Sequence, residues 1–366
     1  MKLLSDLDVS GKRVFLRADL DVPLDSDLKD EVRLRNIKPT FDYLLEHGAS
    51  QIMIAGHIGR PEERDPALST DKLLAPLAEI LGRKITFKDD LERKTEGEVV
   101  LLDNLRFWPG EEANDPDFAK KLAFMADFYI NDAFGDSHRA HASIIGVPAF
   151  LTHAAGIHLQ KEVEELSRLL EGPERPFVAV VGGAKMETKI PIVNNLAQIA
   201  DKVLVGGLIA KQLITNEVSV NRHSGVATTT IGSRDSISSS RETSSLIASL
   251  QNDNKKSNVI VASLTPNGKD IDDVSVNRFV ETIKGAKTVV WNGPVGFFEE
   301  GHESGTMAIA KAIIDSGAYS VVGGGETTEF LASKGLLDKF SFVSSGGGAM
   351  LEFLAGRELP GIRALE

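Results

Sequence analysis

Short apolar runs rich in β-branched residues alternate with helix-like segments along most of the chain. The strand-like runs include RVFL, QIMIA, VVLL and FYIN in the first half, and FVAVV, KVLV, TVVW and SVV in the second. This alternation predicts βα units and parallel sheets. At 366 residues the chain is also too long for one ordinary hydrophobic core. The sequence therefore predicts an α/β fold with two domains.

Composition limits the possible partners. The chain carries 41 Lys and Arg against 53 Asp and Glu, a formal net charge of −12, which argues against nucleic-acid binding because that needs a basic face. No apolar run approaches the roughly 20 residues of a membrane span, and the first residues do not resemble a secretory signal. Without cysteine there are no disulfides or thiolate metal sites. We expect a cytoplasmic protein with no membrane association.

Two segments stand out from the alternation. The first is HLQKEVEELSRLLEGPERP, in which Leu159, Val163, Leu166 and Leu170 recur at helical spacing before GPERP ends the helix. It predicts a connecting helix over about residues 156 to 171. The second covers residues 215 to 258, which are rich in Ser, Thr and Asn. It predicts loops or weak structure, with a short helix possible around 241 to 250.

Basic side chains follow the predicted strands of the first half. Because ligands bind at the carboxyl ends of parallel strands, the residues just after each strand are the candidates for a site. They are Arg17, Asp19, Asp21, Arg33, His57, Arg60, Asn104, Arg106, Asp132, His138, Arg139 and His141. A single arginine there is more often a surface ion pair than a ligand. Five arginines at one edge indicate a pocket for a small polyanion, since guanidinium binds carboxylate or phosphate through two hydrogen bonds.

Glycines follow the predicted strands of the second half, at Gly182–Gly183, Gly206–Gly207, Gly323–Gly325 and Gly346–Gly348. A single Gly-Gly pair can be nothing more than a tight turn between a strand and a helix. Four such turns, each before a predicted helix, indicate phosphate or nucleotide binding through free backbone N–H groups. Neither G-x-x-x-x-G-K-[ST] nor G-x-G-x-x-G occurs.

The two halves together suit direct phosphoryl transfer between a small anion and a nucleotide, where catalysis is mostly positioning and charge stabilisation. Lys185 and Lys189 are four residues apart, so they share one face of the helix after Gly183. Either lysine could follow the transferring phosphoryl group, which carries charge on its three equatorial oxygens.

From end to end the chain resembles the phosphoglycerate kinase family. The matching stretches are RADLDVPL, GHIGRP, LLDNLRFWPGEE, NDAFGDSHRAHAS, PERPFVAVVGGAK, TVVWNGPVGFFE, VVGGGET and SSGGGAMLEFLAGRELPG. The resemblance covers the chain well except between about residues 208 and 278. It implies two doubly wound, Rossmann-like parallel-sheet domains joined by a helix. The implied division is 1–155 for the substrate domain, 156–174 for the helix and linker, 175–350 for the nucleotide-binding domain and 351–366 for a segment returning to the first domain.

The resemblance also implies the reaction, which is reversible transfer of the acyl phosphate of 1,3-bisphosphoglycerate to Mg-ADP, giving 3-phosphoglycerate and ATP. The expected partners are these small-molecule substrates, with no nucleic acid and no membrane, and we expect a monomer. The residues implied to bind the glycerate substrate are Asp19, Asp21, Arg33, His57, Arg60, Arg106 and Arg139. Arg33, Lys185 and Lys189 are implied to act in catalysis.

The nucleotide-binding residues implied by the resemblance lie in the second half. They are Gly183, Ala184, Lys185, Lys189, Gly207, Asn292, Pro294, Glu299, Gly324, Gly325, Thr327, Gly346, Gly347 and Gly348, with Glu299 on the ribose hydroxyls. Glu326 is implied to coordinate Mg²⁺, a cation commonly held by one or two carboxylates together with phosphates and water.

This chain departs from the family at several positions. It has Glu326 where Asp is usual, Asp21 where Asn is usual, and GGLI where GGGM is usual. The Ser/Thr-rich segment and SLTPNGKDIDDVS replace the region that commonly completes the adenine wall. These departures motivate one alternative, a weakly catalytic or non-catalytic protein that binds phosphorylated ligands or a partner protein. A further alternative is a kinase that acts on a different small carboxylate or acyl phosphate.

Overall fold

A computed structural model describes residues 1–24, 32–91, 97–184, 186–222 and 258–366, with side chains described for all of these except 186–188 and 215–222. The chain divides into two compact units. Unit 1 comprises Met1–Glu164 and Glu358–Glu366, and unit 2 comprises Glu165–Arg357. Within the described residues, no helix is long and apolar enough to cross a membrane.

Strands and helices alternate in the described residues. The strands are β1 (Arg13–Arg17), β2 (Gln51–Ala55), β3 (Thr86–Lys88), β4 (Val99–Leu102), β5 (Phe128–Asn131), β6 (Thr152–Ala155), β7 (Phe177–Val181), β8 (Lys202–Val205), β9 (Val259–Val261), β10 (Thr288–Asn292), β11 (Tyr319–Gly323) and β12 (Phe342–Ser344). The α-helices are α1 (Val32–Asn36), α2 (Lys38–Glu46), α3 (Leu74–Leu81), α4 (Pro116–Phe124), α5 (Ile157–Glu171), α6 (Met186–Ile199), α7 (Gly207–Arg222), α8 (Asp273–Lys284), α9 (Ser304–Ser316), α10 (Gly325–Ser333), α11 (Gly348–Leu354) and α12 (Pro360–Arg363).

Unit 1 contains a six-stranded sheet in the order β3-β4-β2-β1-β5-β6, with every neighbouring pair parallel. Its core includes Leu16, Ile54 and Leu101 from three strands and Phe41 from α2, all fully buried. The strands are continuous apolar runs because helices cover both faces of such a sheet. The sheet order reverses beside β1, which places the loops after β1, β2 and β5 next to one another.

Unit 2 contains a second six-stranded parallel sheet, in the order β9-β8-β7-β10-β11-β12. Trp291 on β10 is its largest fully buried side chain and packs with Val180 on β7 and Phe279 on α8. In this order the reversal point lies between β7 and β10, where ligands of doubly wound sheets bind. Two doubly wound parallel sheets confirm the predicted fold class.

Helix α5 runs along the chain from unit 1 into unit 2, and its bounds agree within a residue with the helix predicted from the leucine spacing. Its inward face includes Leu159, Leu166 and Leu169, which are fully buried. At its start, Asp132 Oδ1 accepts the backbone N–H groups of His158 and Leu159 at 2.9 and 3.2 Å. The carboxylate thus satisfies N–H groups that lack a partner within the helix.

The predicted irregular segment was placed too early. Residues 215–222 belong to α7 rather than to a loop. Ile209 and Leu213, one turn apart and buried, anchor this helix to the core, so packing outweighs the polar composition of its last turns. The possible short helix around 241 to 250 lies outside the described residues.

Candidate active site

The loop after β1 is joined to α1 and to the loop after β2. The Asp21 N–H donates to Asp19 Oδ1 at 3.2 Å, the local turn that Asp side chains favour. Arg33 on α1 lies with Nε 3.7 Å from Asp19 Oδ2, and its Nη1 donates to the Asp21 carbonyl. Asp21 Oδ1 accepts the Gly59 N–H at 2.8 Å. The structure therefore brings together Asp19, Asp21 and Arg33, as predicted from the strand ends.

Asp19 is a buried carboxyl group with an altered proton affinity. Burial raises the pKa of Asp19 to about 6, and the nearby Arg33 guanidinium opposes that rise. At neutral pH most of this group is ionised and accepts the Asp21 N–H. Its position beside a half-buried arginine suits it to hold that arginine in place or to accept a hydroxyl group.

His57 is buried beside Arg17, the last residue of β1. Its Nδ1 lies 3.3 Å from Arg17 Nη2, and its Nε2 lies 3.7 Å from Asp21 Oδ2. Burial lowers the pKa of His57 to about 4, and the charges on Arg17 and Arg106 add to that effect. The imidazole is therefore neutral at physiological pH, which suits a hydrogen-bond donor rather than a fixed cation.

Asp136 is a member of this site that the sequence analysis did not single out. It lies in the short 3₁₀ turn Phe134–Asp136 after β5, and its Oδ2 is 2.9 Å from Arg17 Nη2 and 3.5 Å from His57 Nδ1. Its Oδ1 is 3.6 Å from Arg139 Nε. The available signal was the spacing of Asp136 and Arg139, three residues apart in GDSHR, which a turn brings together.

The other predicted arginines differ in how they are held. Arg106 is buried, donates from Nη1 to the Gly59 carbonyl, and lies with Nε 3.0 Å from Glu112 Oε1. Burial lowers the pKa of Arg106, and the neighbouring Arg139 adds to that effect, so the two guanidiniums are close enough to repel. Arg60 is exposed and follows Gly59 directly. Arg60 makes no ion pair with the other predicted residues in the described part of unit 1.

In unit 2 the backbones of two loops meet at the reversal point of the sheet. The Gly182 N–H donates to the Asn292 carbonyl at 2.9 Å, and the Gly183 N–H donates to the Pro294 carbonyl at 2.8 Å. A Cβ on Gly182 would lie 2.2 Å from the Pro294 oxygen, so only glycine fits there. Gly182 is thus required for packing between the two loops. The sequence alone did not show whether this glycine serves packing or ligand binding.

Other glycines leave space that a ligand could occupy. A Cβ on Gly325, the first residue of α10, or on Gly347, just before α11, would meet nothing within 4 Å. Gly347 has a φ of +46°, a left-handed backbone conformation that residues with a side chain rarely adopt. Both glycines place free N–H groups at a helix N-terminus, the arrangement that binds phosphate.

Lys189 on α6 is a buried cation at the carboxyl edge of the unit 2 sheet. Its Nζ donates to Asn292 Oδ1 at the end of β10. Burial lowers the pKa of Lys189 to about 8, an effect that the Glu326 carboxylate partly offsets. Thr327 is fully buried in the first turn of α10, and its hydroxyl accepts the Gly293 N–H at 2.8 Å, which joins α10 to the loop after β10.

Glu326 lies exposed in the first turn of α10. Its Oε2 is 3.8 Å from the position that a Cβ on Gly183 would take, so the carboxylate reaches the loop after β7. Among the described residues there is no group of three His, Asp or Glu side chains that could hold a metal ion. A metal ion at Glu326 would need further oxygen ligands from a bound phosphate, which fits an ion that arrives with the nucleotide.

The remaining predicted nucleotide residues are spread along the same edge. A Cβ on Gly324 would lie 3.1 Å from Asn292 Nδ2, and one on Gly207 would lie 2.9 Å from the Gly183 nitrogen. The turn Gly346–Gly348 opens α11, ahead of Met350, whose sulfur lies 3.7 Å from Asn292 Nδ2. Ala184 and Glu299 are exposed and make no hydrogen bond to this cluster in the described residues. Lys185 lies outside the described residues.

Comparison with known proteins gives consistent matches. The sequence model of the family described as phosphoglycerate kinase matches residues 4–357. Proteins named phosphoglycerate kinase from Desulforudis audaxviator and Pelotomaculum thermopropionicum are 38% and 39% identical to this chain. Each match covers 100% of this chain and 99% or 98% of the relative.

Solved structures agree with the sequence matches. A structure of phosphoglycerate kinase from Coxiella burnetii has a TM-score of 0.80 at 33% identity, covering 100% of this chain and 99% of that one. A phosphoglycerate kinase structure from Pyrococcus horikoshii has a TM-score of 0.80 at 29% identity, covering 100% and 98%.

Proposed function

The chain belongs to the phosphoglycerate kinase family, and we propose that its two units divide the reaction between them. That reaction is the reversible transfer of a phosphoryl group between 1,3-bisphosphoglycerate and ADP, giving 3-phosphoglycerate and ATP. One observation carries the division of labour. The guanidinium cluster lies at the strand ends of unit 1, whereas the open glycine turns and Lys189 lie at the strand ends of unit 2.

Unit 1 holds the glycerate substrate. Arg33, Arg106 and Arg139 supply planar donors for its carboxylate and phosphate, and the exposed Arg60 adds a fourth guanidinium. Neutral His57 can donate a hydrogen bond without adding another charge to an already cationic pocket. The ionised form of Asp19 is a hydrogen-bond acceptor for the substrate hydroxyl group. Asp21 holds the loop after β2 through Gly59, so it shapes the pocket.

Unit 2 holds the nucleotide. The phosphates occupy the turns at Gly324–Gly325 and Gly346–Gly348, where backbone N–H groups open two helices. Gly183, Ala184, Gly207, Pro294 and Glu299 line the same edge. Mg²⁺ accompanies the nucleotide, and Glu326 would be its protein ligand; when bound, the ion neutralises phosphate charge.

Transfer itself needs little covalent chemistry from the protein. A carboxylate oxygen of 3-phosphoglycerate attacks the terminal phosphorus of ATP, and the bond from that phosphorus to the ADP oxygen breaks. Charge spreads over the three equatorial oxygens during this step. Arg33 from unit 1, together with Lys185 and Lys189 from unit 2, stabilises that charge, and Asn292 holds the Lys189 ammonium by accepting its hydrogen bond.

The reacting groups come from two units that share α5, so hinge motion about this helix brings the bound substrates together. Small-angle scattering should show compaction with both substrates present, and an unchanged radius of gyration would contradict this step. The enzyme works as a monomer in the cytoplasm.

Steady-state kinetics test the assignment of residues. Purified protein should form ATP from ADP and 1,3-bisphosphoglycerate when Mg²⁺ is present. Arg33→Ala and Lys189→Ala should each lower kcat by about 10²- to 10³-fold, the usual effect of losing one charge-stabilising donor. Arg35→Ala is the matched control for Arg33, since Arg35 is exposed on the same helix. Wild-type turnover in both site variants would refute the proposed roles.

A further inference from the structure

Asp136 is a buried carboxylate inside a pocket assigned to an anionic substrate. Only 4% of the residue is exposed. Oδ2 pairs with Arg17 Nη2 at 2.9 Å, and Oδ1 lies 3.6 Å from Arg139 Nε, so each oxygen faces a different guanidinium. A negative charge here weakens the attraction of the pocket for an anion. The carboxylate must therefore contribute something else to the site that offsets this loss.

The first role follows from Arg17. Among the described residues, Asp136 carries the one carboxylate within ion-pair distance of this guanidinium, which is fully buried. Arg17 also donates from Nε to Ser143 Oγ at 2.8 Å, and its Nη2 lies 3.3 Å from His57 Nδ1. Asp136 Oδ2 lies farther from His57 Nδ1, at 3.5 Å. Arginine can only donate, so the nearer contact, with Arg17, assigns the acceptor role to His57 Nδ1. The proton of the neutral imidazole is therefore on Nε2.

The second role follows from Arg139. Its only ion pair in the described part of the chain is the one from Nε to Asp136, while its side chain is 25% exposed. At 3.6 Å this contact is an ion pair and not a hydrogen bond, and Nε has no hydrogen-bond partner in the described part of the chain. The attraction turns the Nε edge of the guanidinium towards Asp136 and leaves the two Nη nitrogens for a ligand. Two parallel N–H groups on one side of a guanidinium are the geometry that binds carboxylate or phosphate.

From these contacts we propose that Asp136 is a positioning residue for the glycerate substrate. It orients Arg139 directly, and through Arg17 it keeps His57 in the form that donates from Nε2. The inference rests on the proposed assignment of Arg139 and His57 to the substrate. Asp136 Oδ2 faces Arg17 and His57 and its Oδ1 faces Arg139, so the carboxylate acts through these side chains.

The charge environment is consistent with this role. Burial alone would raise the pKa of Asp136, but the charges of nearby basic groups, including Arg17 and Arg139, lower it below its ordinary value. The group therefore stays ionised through the physiological range and acts as a constant anchor. Its negative charge also offsets the mutual repulsion of the nearby guanidiniums of Arg17, Arg106 and Arg139.

Kinetics of Asp136→Asn test the inference. The substitution keeps the shape and removes the charge. We expect the KM for 3-phosphoglycerate to rise about tenfold while the KM for ATP and kcat change less than about threefold, because the lost interaction concerns substrate binding and not the transferring group. A merely structural role would lower kcat through loss of folded enzyme and leave the KM for 3-phosphoglycerate unchanged, and that result would overturn the proposal.

Two further variants sharpen the comparison. Asp127→Asn is the matched control, since Asp127 pairs with Arg13 at 2.8 Å on the exposed surface of the same unit. Its kinetics should equal those of the wild type. In an Arg139→Ala background, Asp136→Asn should raise the KM for 3-phosphoglycerate less than it does alone, since part of its action passes through Arg139. Full additivity would contradict the positioning role.

The wild-type protein provides a test that needs no folded variant. In protein labelled with ¹⁵N-histidine, the His57 signal, assigned with His57→Gln, should show a neutral ring protonated on Nε2 at pH 7.5. A ring protonated on Nδ1 or charged would overturn the proposal. Absence of any turnover in the wild type would instead refute the proposed function, so the two failures are distinguishable.

Discussion

Replacing Lys189 with methionine should make the protein more stable while nearly abolishing its activity. Burial lowers the pKa of Lys189 from 10.5 to about 8. At about 1.4 kcal/mol per pKa unit, this difference means that the charged ammonium costs the folded state about 3 kcal/mol at neutral pH. Methionine has a similar length and no charge, so the substitution removes that cost.

The substitution also removes a favourable contact. Asn292 Oδ1 loses the hydrogen bond from Lys189 Nζ and is left buried, which costs about 1–2 kcal/mol. The net expectation at pH 7 is a gain of about 1–2 kcal/mol in the free energy of unfolding. Catalysis should fall by about 10²- to 10³-fold in kcat, since the ammonium is proposed to stabilise the transferring phosphoryl group.

The pH dependence separates this mechanism from general effects of substitution. A lysine whose pKa is lower in the folded state destabilises the protein below that pKa. The wild type should therefore gain stability as pH rises from about 8 towards 10.5, whereas Lys189→Met should lack this gain. The advantage of the variant should shrink over the same window.

Urea unfolding monitored by tryptophan fluorescence measures both effects. Trp291 is fully buried in unit 2, and a Trp108→Phe background isolates its signal. Lys311→Met is the control, since Lys311 is exposed on α9 of the same unit and should change stability by less than about 0.5 kcal/mol. If Lys189→Met and the wild type differed by the same amount at pH 7 and pH 9.5, the reasoning from burial would be wrong.

Three more predictions follow from particular contacts. Glu326→Gln should raise the Mg²⁺ concentration needed for half-maximal activity by about tenfold, because it removes the proposed carboxylate ligand. Glu326→Asp, which keeps the carboxylate, should stay near the wild type. Equal Mg²⁺ titrations for all three proteins would exclude Glu326 as a metal ligand. Burial raises the pKa of Asp132 to about 7. The wild type should therefore gain stability relative to Asp132→Asn as pH falls from 7 to about 4. A constant difference between the urea midpoints of the two proteins across that range would contradict the raised pKa. Gly182→Ala should lower the stability of unit 2 by more than about 2 kcal/mol, because the new Cβ would meet the Pro294 oxygen. Gly172→Ala is the control and should be neutral, since a Cβ there meets nothing within 4 Å. Similar unfolding curves for the two variants, followed by Trp291 fluorescence, would refute the packing argument.

Local patterns in the sequence determined the architecture. Apolar β-branched runs separated by helical periodicity can bury both faces only in a parallel sheet covered by helices. The carboxyl ends of parallel strands lie at one edge, so the sequence alone indicates that the arginines of the first half and the glycines of the second lie at candidate sites. The helix between the units was readable from the leucine spacing, because that spacing defines one buried stripe.

Tertiary structure alone decided how residues of the same type differ. Gly182 and Gly325 both follow strands, yet the first is closed by the Pro294 carbonyl and the second faces open space. Asp136 gained its importance from partners that lie 119 and 79 residues away, Arg17 and His57. The proton affinities of His57 and Lys189 depend on burial and on charges from distant segments. These properties arise from interactions through space, and neighbours in space are fixed by the fold and not by neighbours in the chain.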